Sequence, residues 1–207
     1  MTEGEAAAFV KGLESLRAEH AFSWDDRAIS LCLAHLRVLW KWNRAMNLVG
    51  DLSVESAVRR HYGESLFLAH QLEDGAGTVA DFGAGAGFPG VGVAAMRRES
   101  AIVLLEARQR RVAFLRESTR EFGNVRAVLG EAERYQDPIS TLVARAVNPA
   151  QVLKMAESLA VPVALLLSAV DASTYAEQLS ARGWRCRTDP VPWRPQSAAL
   201  RAWPTLR

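Results

Sequence analysis

The stretch Val79-Ala80-Asp81-Phe82-Gly83-Ala84-Gly85-Ala86-Gly87-Phe88-Pro89-Gly90 constrains this chain more than any other. An apolar strand pattern runs into alternating glycines and then into an apolar helix through Val91, Val93, Ala94 and Ala95. Each glycine lacks a Cβ, so the backbone can turn tightly and lie against a ligand that any side chain would push away. Pro89 suits the first turn of a helix, where its missing N–H would have no partner.

Around that loop the sequence divides in two. Residues 1–73 read as helices, with apolar residues at three- and four-residue steps: Phe9, Leu13, Leu16, then Ile29, Leu33, Leu36, Trp40. Ser23 with Asp26 suggests a capping box for the second helix. Ser53 suggests the cap of a third, running through His61 to Leu72, with Asn47–Asp51 as the loop before it. From residue 74 to 207, short apolar runs alternate with amphipathic helices. The spacing predicts strands over 78–82, 101–105, 125–129, 141–144 and 163–167, and helices over 91–97, 109–122, 149–159 and 172–181. That alternation implies an α/β fold, a mostly parallel sheet with helices on both faces. Two final strand-like pieces, 184–188 and 198–203, separated by Pro190, Pro192 and Pro195, suggest an antiparallel pair at the sheet edge.

With 207 residues, 49% of them hydrophobic, the chain can bury a full core. Cys32 and Cys186 match no metal or redox spacing and read as buried thiols in a reducing compartment; no metal site is expected. The longest apolar run, Val161 to Leu167, falls far short of the roughly 20 residues that span a bilayer. The N-terminus has no secretory pattern, and a soluble cytoplasmic protein is expected. Net charge is only +2, but arginines gather at 59–60, 97–98 and 108, 110 and 111, with Arg116 and Arg120 beyond. A guanidinium is a planar donor fork that fits phosphate, so these residues could line an RNA-facing surface, Arg108 and Arg111 included.

The glycine pattern by itself suits a dinucleotide as well as a nucleoside ligand, and Glu106, about 20 residues on, suits ribose hydroxyls in either case. Three features favour S-adenosylmethionine, which carries cationic ammonium and sulfonium groups and no phosphate. Asp81 puts a carboxylate just before the loop, Gly130-Glu131-Ala132-Glu133 adds acid and amides after the third strand, and Asn148-Pro149 follows the fourth. Each has a plainer alternative. Asp81 could cap the next helix, Glu106 could be a solvated strand end, and Glu133 could cap a helix. Arg145, too costly to bury alone, could pair with Glu133 or Glu106 instead of facing the ligand.

The order of Lys41-Trp42-Asn43-Arg44-Ala45-Met46-Asn47-Leu48, Arg60-His61-Tyr62-Gly63-Glu64-Ser65-Leu66, the Asp81–Gly90 loop, Leu104-Leu105-Glu106, Arg110-Arg111-Val112-Ala113-Phe114-Leu115 and Ala144-Arg145-Ala146 resembles the bacterial 16S ribosomal RNA guanine-N7 methyltransferases, the RsmG or GidB family, over residues 30 to 160. The resemblance implies a Rossmann-like class I methyltransferase domain behind an N-terminal helical extension, and S-adenosylmethionine as cofactor. Its implied substrate is N7 of a guanine in the 530 loop of 16S rRNA, on the small ribosomal subunit, with the enzyme a monomer. It implies cofactor contacts at Gly83, Phe88, Ala132, Glu133 and Arg145, with Glu106 in the ribose position; Asp81, Gly85 and Gly87 join them as cofactor-binding candidates from the loop pattern itself. The segment bearing Asn43, Asn47, Arg60 and His61 would border the RNA. No catalytic side chain is assigned, since guanine N7 has a free lone pair and no proton to lose. The chain departs from the family at Glu131 for an arginine, Ser168-Ala169 for lysine-glycine, Glu64 for an aspartate and Gly63 for a bulkier residue. Three alternatives remain open at this point: a related methyltransferase acting on another RNA or a small molecule, a nicotinamide-dependent oxidoreductase, and a degenerate RNA-binding module.

Overall fold

The computed structural model describes residues 1–73, 75 and 77–205; the anticipated boundary at 73/74 adjoins Asp74, which lies outside the described residues. Helices α1 (Glu3–His20), α2 (Asp26–Met46), the one-turn α3 (Val54–Ser56), a π-helical segment (Ala57–Gly63) and α4 (Glu64–Gln71) come first. They are followed by β1 (Thr78–Phe82), α5 (Gly90–Met96), β2 (Ala101–Glu106), α6 (Gln109–Ser118), β3 (Val125–Leu129), a 3₁₀ turn (Ala132–Arg134), β4 (Thr141–Arg145), α7 (Pro149–Leu159), β5 (Val163–Ser168), α8 (Ala169–Ala181), β6 (Arg185–Val191) and β7 (Arg194–Trp203).

The seven strands lie in the order β3-β2-β1-β4-β5-β7-β6. The first five are parallel, and β7 runs antiparallel between β5 and β6. Period-two alternation sorts the strand residues into two cores. Val79, Ile102, Leu104, Val143 and Leu166 join Phe9, Leu36, Leu66, Val93 and Phe114, so α1, α2, α4, α5 and α6 cover one face. Ala80, Phe82, Val103, Leu105, Leu142 and Leu165 join Val152, Ala156 and Leu179, so α7 and α8 cover the other. The N-terminal helices therefore share one continuous core with the sheet.

Several local expectations are corrected. Asp25, rather than a Ser23–Asp26 box, caps α2, because its carboxylate accepts from the Ala28 amide at 2.8 Å while the Ser23 hydroxyl faces His70 Nδ1. Helix α6 stops at Ser118 instead of residue 122; the Ser118 and Thr119 hydroxyls both donate to the Leu115 carbonyl and compete with the helical ladder. Pro89 sits at the cap of α5, one residue before the helix. The third helix enters through the π-helical segment, where the wider turn sets the Val58 carbonyl oxygen against Cα of Gly63 and leaves no room for a Cβ. Both cysteines are free; Cys32 is buried, but Cys186 is only half-buried. No helix among the described residues is long and apolar enough to cross a membrane, and none of their acids, histidines or cysteines cluster as a metal site would.

Candidate cofactor and acceptor cleft

β1 pairs with β2 on one side and β4 on the other, so the chain leaves the sheet in opposite directions at these neighbouring strands, and their carboxyl ends open a crevice. A cleft of about 760 Å³ occupies this place. Its walls come from the glycine loop, Leu48–Asp51, the π-helical segment, the β4–α7 turn, the start of α8 and the start of β7.

The loop glycines have different duties. Gly83 and Gly85 line the cleft at φ of 71° and 55°. A Cβ on Gly85 would meet nothing nearer than 3.7 Å, so its bare backbone faces open space. Gly87, at φ 89°, turns inward; a Cβ there would stand 2.7 Å from Val91 and 3.1 Å from His35 Nε2, and packing rather than a ligand demands glycine.

Asp81 is fully buried, with Oδ2 accepting from the Gly90 amide at 2.8 Å. The capping alternative is thus met by one oxygen, while Oδ1 has no hydrogen-bond partner among the described residues. Burial pushes this carboxyl up to about 7. Glu106 is buried too, which corrects the solvated-end alternative. Its Oε2 accepts from the Gly85 amide at 3.0 Å, its Oε1 accepts from the Arg108 amide at 2.9 Å, and Arg111 stands 3.6 Å away. A buried acid with a spare oxygen beside a bare glycine backbone, and a second acid at the next strand tip, fit the ammonium and ribose of S-adenosylmethionine. Asp81, Gly87 and Glu106 lie buried behind the cleft walls, Glu106 touching the wall through the Gly85 amide; Ala132 is buried and Glu133 exposed, and neither is part of the walls. Glu131 is held on the surface by Arg134 at 2.9 Å.

Arg145 does line the cleft, but the pairing suggested with Glu133 or Glu106 is replaced by another. Its Nη1 donates to the Arg60 carbonyl at 2.8 Å and lies 3.7 Å from Glu64, and its Nη2 is 3.2 Å from His61 Nδ1. Its guanidinium lies 4.9 Å from the centre of the Phe88 ring. The His61 ring stacks on that same phenylalanine at 5.3 Å. His61 Nε2 is 2.7 Å from the Asp51 carbonyl, which can only accept, so Nε2 carries the proton and Nδ1 accepts from Arg145. The ring is neutral, and burial pushes it down to about 4. Asn43 spends both ends of its amide on the backbone of Val49 and holds the same loop, while Asn47 ends α2 in the left-handed region. Arg60 and Arg111 line the cleft, and Arg108 is exposed and is not among the lining residues.

Sequence reasoning missed three participants. Glu64, 4% exposed, accepts from Arg194 Nε at 2.7 Å as well as facing Arg145. Trp193 donates to the Arg59 carbonyl at 2.8 Å and packs 3.1 Å from where a Gly63 side chain would begin. In the sequence Glu64 stands in the family-like Arg60–Leu66 segment as a departure from aspartate, a signal that carries no role by itself. Arg97 and Arg98 leave the list of RNA-facing arginines: Arg97 donates to the Ala69 and Leu72 carbonyls, and Arg98 pairs with Asp25 at 2.9 Å.

These buried groups give the protein a characteristic acid response. His35, fully buried against the Tyr62 hydroxyl, is pushed down to about 3 by burial. Below pH 6.5 the unfolded chain protonates His35 and His61 while the folded chain keeps them neutral, so both draw stability down on acidification. Asp81 opposes them, because its folded carboxyl holds a proton between about 7 and the ordinary 3.8 that the unfolded one has released. Two histidines against one aspartate leave a net loss of about 1.4 kcal/mol per pH unit near pH ~5. Asp81→Asn should roughly double that slope in urea denaturation across this range. Equal slopes for the two proteins would show that Asp81 does not hold its proton.

The strand order, the crevice at the switch point and the glycine loop with its two acids together define a class I methyltransferase. The same fold recurs in a S-adenosylmethionine-dependent methyltransferase from Aquifex aeolicus, with TM-score 0.55, 16% identity and coverage of 71% of this chain and 92% of that one. It recurs also in Aeropyrum pernix fibrillarin solved with S-adenosylmethionine, with TM-score 0.54, 16% identity and coverage of 70% and 75%. The chain belongs to the GidB family, rRNA small subunit methyltransferase G, whose model matches residues 29–188. Among curated relatives, ribosomal RNA small subunit methyltransferase G of Halorhodospira halophila is 34% identical over 67% of each chain. The Neisseria gonorrhoeae protein of the same description is 39% identical over 51% of each.

Proposed function

We propose that this protein transfers the methyl group of S-adenosylmethionine to N7 of a guanine in the 530 loop of 16S ribosomal RNA, acting as a cytoplasmic monomer on the small ribosomal subunit. Residues 74–207 supply the donor side and residues 1–73 much of the acceptor side. The observation that carries this reading is that His61, the one histidine lining the cleft among the described residues, has both ring nitrogens committed, to Asp51 and Arg145. The cleft thus offers no histidine to serve as base, and guanine N7 needs no base.

S-Adenosylmethionine supplies an electrophilic methyl group when bound. Gly83 and Gly85 would give it bare backbone, Asp81 would answer its ammonium charge, and Glu106 would hold its ribose. Asp81 ionises as the cation arrives, so binding of the product S-adenosylhomocysteine, which keeps the ammonium, tightens as pH rises through about 7. Phe88, with the His61 ring and the Arg145 guanidinium packed against it, would stiffen the wall between donor and acceptor. These residues would hold donor and acceptor in place, so that positioning carries the rate. The cleft acids favour the positive charge that develops on the methylated guanine.

The test is transfer of radiolabelled methyl from S-adenosylmethionine to small ribosomal subunits lacking the modification, followed by nucleoside mass spectrometry of the 16S RNA. One 7-methylguanosine is expected. Label on another base, or on another RNA alone, would overturn the substrate assignment. Calorimetry should show binding of S-adenosylhomocysteine and none of NAD, and the reverse result would place the chain among oxidoreductases.

A further inference from the structure

The cations of this protein fall into two populations. Away from the cleft most are neutralised on the protein itself, as in Arg17–Asp26, Arg37–Glu3, Arg98–Asp25, Arg126–Asp137 and Arg182–Glu157, all within 3.0 Å. Of the exposed cations with no ion pair to any described residue, Lys11, Arg27 and Lys154 lie on α1, the start of α2 and α7, and the rest are Lys41 and Arg44 in the last turns of α2, Arg59 and Arg60 in the π-helical segment, Arg108 before α6, Arg110 and Arg116 within it, and Arg120 just after it.

These residues are neighbours by construction. Trp42 Nε1 donates to Glu117 Oε2 at 3.0 Å and ties the end of α2 to α6. Lys41 and Arg44 lie three residues apart on one face of α2, a different face from Trp42. Arg110 lies two turns from Glu117 on the same face of α6, and Arg120 follows in the turn after the helix ends at Ser118. The series starts at the cleft itself, since Arg60 lines it and the Arg108 amide is bound to Glu106, which also accepts from the cleft-lining Gly85 amide. Like charges left unpaired along two packed helices repel one another, and a polyanion laid across them reverses that cost. Helix α7, on the opposite face of the sheet, carries only Lys154.

We propose that the RNA strand whose guanine enters the cleft is bound along this face, its phosphates held by Lys41, Arg44, Arg60, Arg108 and Arg110. The placement rests on the RNA-methylating reading above and adds which surface docks the RNA. Phosphate contacts of this kind set register and orientation and leave base choice to the cleft.

The experiment compares the triple variant Arg44→Glu/Arg108→Glu/Arg110→Glu with Lys154→Glu, all exposed positions. It uses a fluorescent transcript of the 16S RNA 530-loop hairpin for binding and undermodified small subunits for methyl transfer. Thermal unfolding and calorimetry with S-adenosylhomocysteine verify that each variant is folded and binds the nucleoside. The triple variant should bind RNA at least about 100-fold more weakly, with a log Kd against log salt slope shallower by about two to three, and Lys154→Glu should match wild type. Wild-type affinity and slope in the triple variant, with methyl transfer intact, would overturn the docking face and leave the enzymatic reading standing. A wild-type protein that binds RNA through these residues and methylates no ribosomal particle would do the opposite.

Discussion

Arg145→Ala should lower kcat/KM for methyl transfer by about 100-fold or more while the protein stays folded. In one side chain this arginine joins the π-helical segment through the Arg60 carbonyl, fixes the His61 ring through Nδ1 and covers Phe88. Without it the wall between the glycine loop and Leu48–Asp51 loses the fork that sets their separation, and a displacement of about 1 Å at a reacting centre is worth about two orders of magnitude. Lysine should restore little, since an ammonium is a point donor that cannot serve the carbonyl, the ring nitrogen and the aromatic face together. A purely structural role predicts a lowered melting temperature with normal turnover in the folded fraction; a positioning role predicts lost kcat with near-normal S-adenosylhomocysteine affinity. Unchanged kcat/KM in Arg145→Ala would remove this residue from the machinery.

Glu64→Gln should have the largest effect on stability. The carboxylate is 6% exposed and stands between Arg194, 26% exposed, and Arg145, 16% exposed. Neutralising it leaves two partly buried guanidiniums facing each other. Breaking a buried pair costs about 3–5 kcal/mol, and the residual solvent at Arg194 favours the lower figure. For a chain of this size that is roughly a 10 °C fall in melting temperature, measurable by calorimetric scanning. Arg194→Gln made together with Glu64→Gln should recover part of the loss, because the second change removes one of the stranded charges. Strictly additive losses would mean the two residues are not coupled. Glu64→Asp, one methylene shorter, should retain a contact to one arginine and fall between wild type and Glu64→Gln.

Much of the parallel sheet was legible in advance. β1 and β3 begin and end where the apolar runs do, and the other parallel strands extend one residue further. α7 also matches at both ends, because Asn148 accepts from the Ala150 amide and Pro149 presets the first turn. α6 was overrun because hydroxyl bonds back to a carbonyl leave no mark on apolar periodicity. Within the site, the glycine loop, Asp81, Glu106 and Arg145 were legible as polar or glycine positions at strand tips. Their partners were not. Arg145 meets Arg60 and His61 from 85 and 84 residues away, and Arg194 reaches Glu64 across 130. The exposed Glu133 shows the converse, a carboxylate in the expected loop that stands outside the cleft walls.

By itself the sequence determined the order of elements, the parallel sheet and the bare backbone at the tip of β1, since these depend on steric and hydrophobic demands met within a few residues. Only the tertiary structure decided that Glu64 receives two arginines, that His61 is a neutral spacer between Asp51 and Arg145, and that one set of surface cations is left unpaired. Those outcomes depend on which side chains the packing of distant helices and strands brings within about 3 Å of each other, and hydrogen bonds weaken too steeply with distance and angle for sequence spacing to settle them.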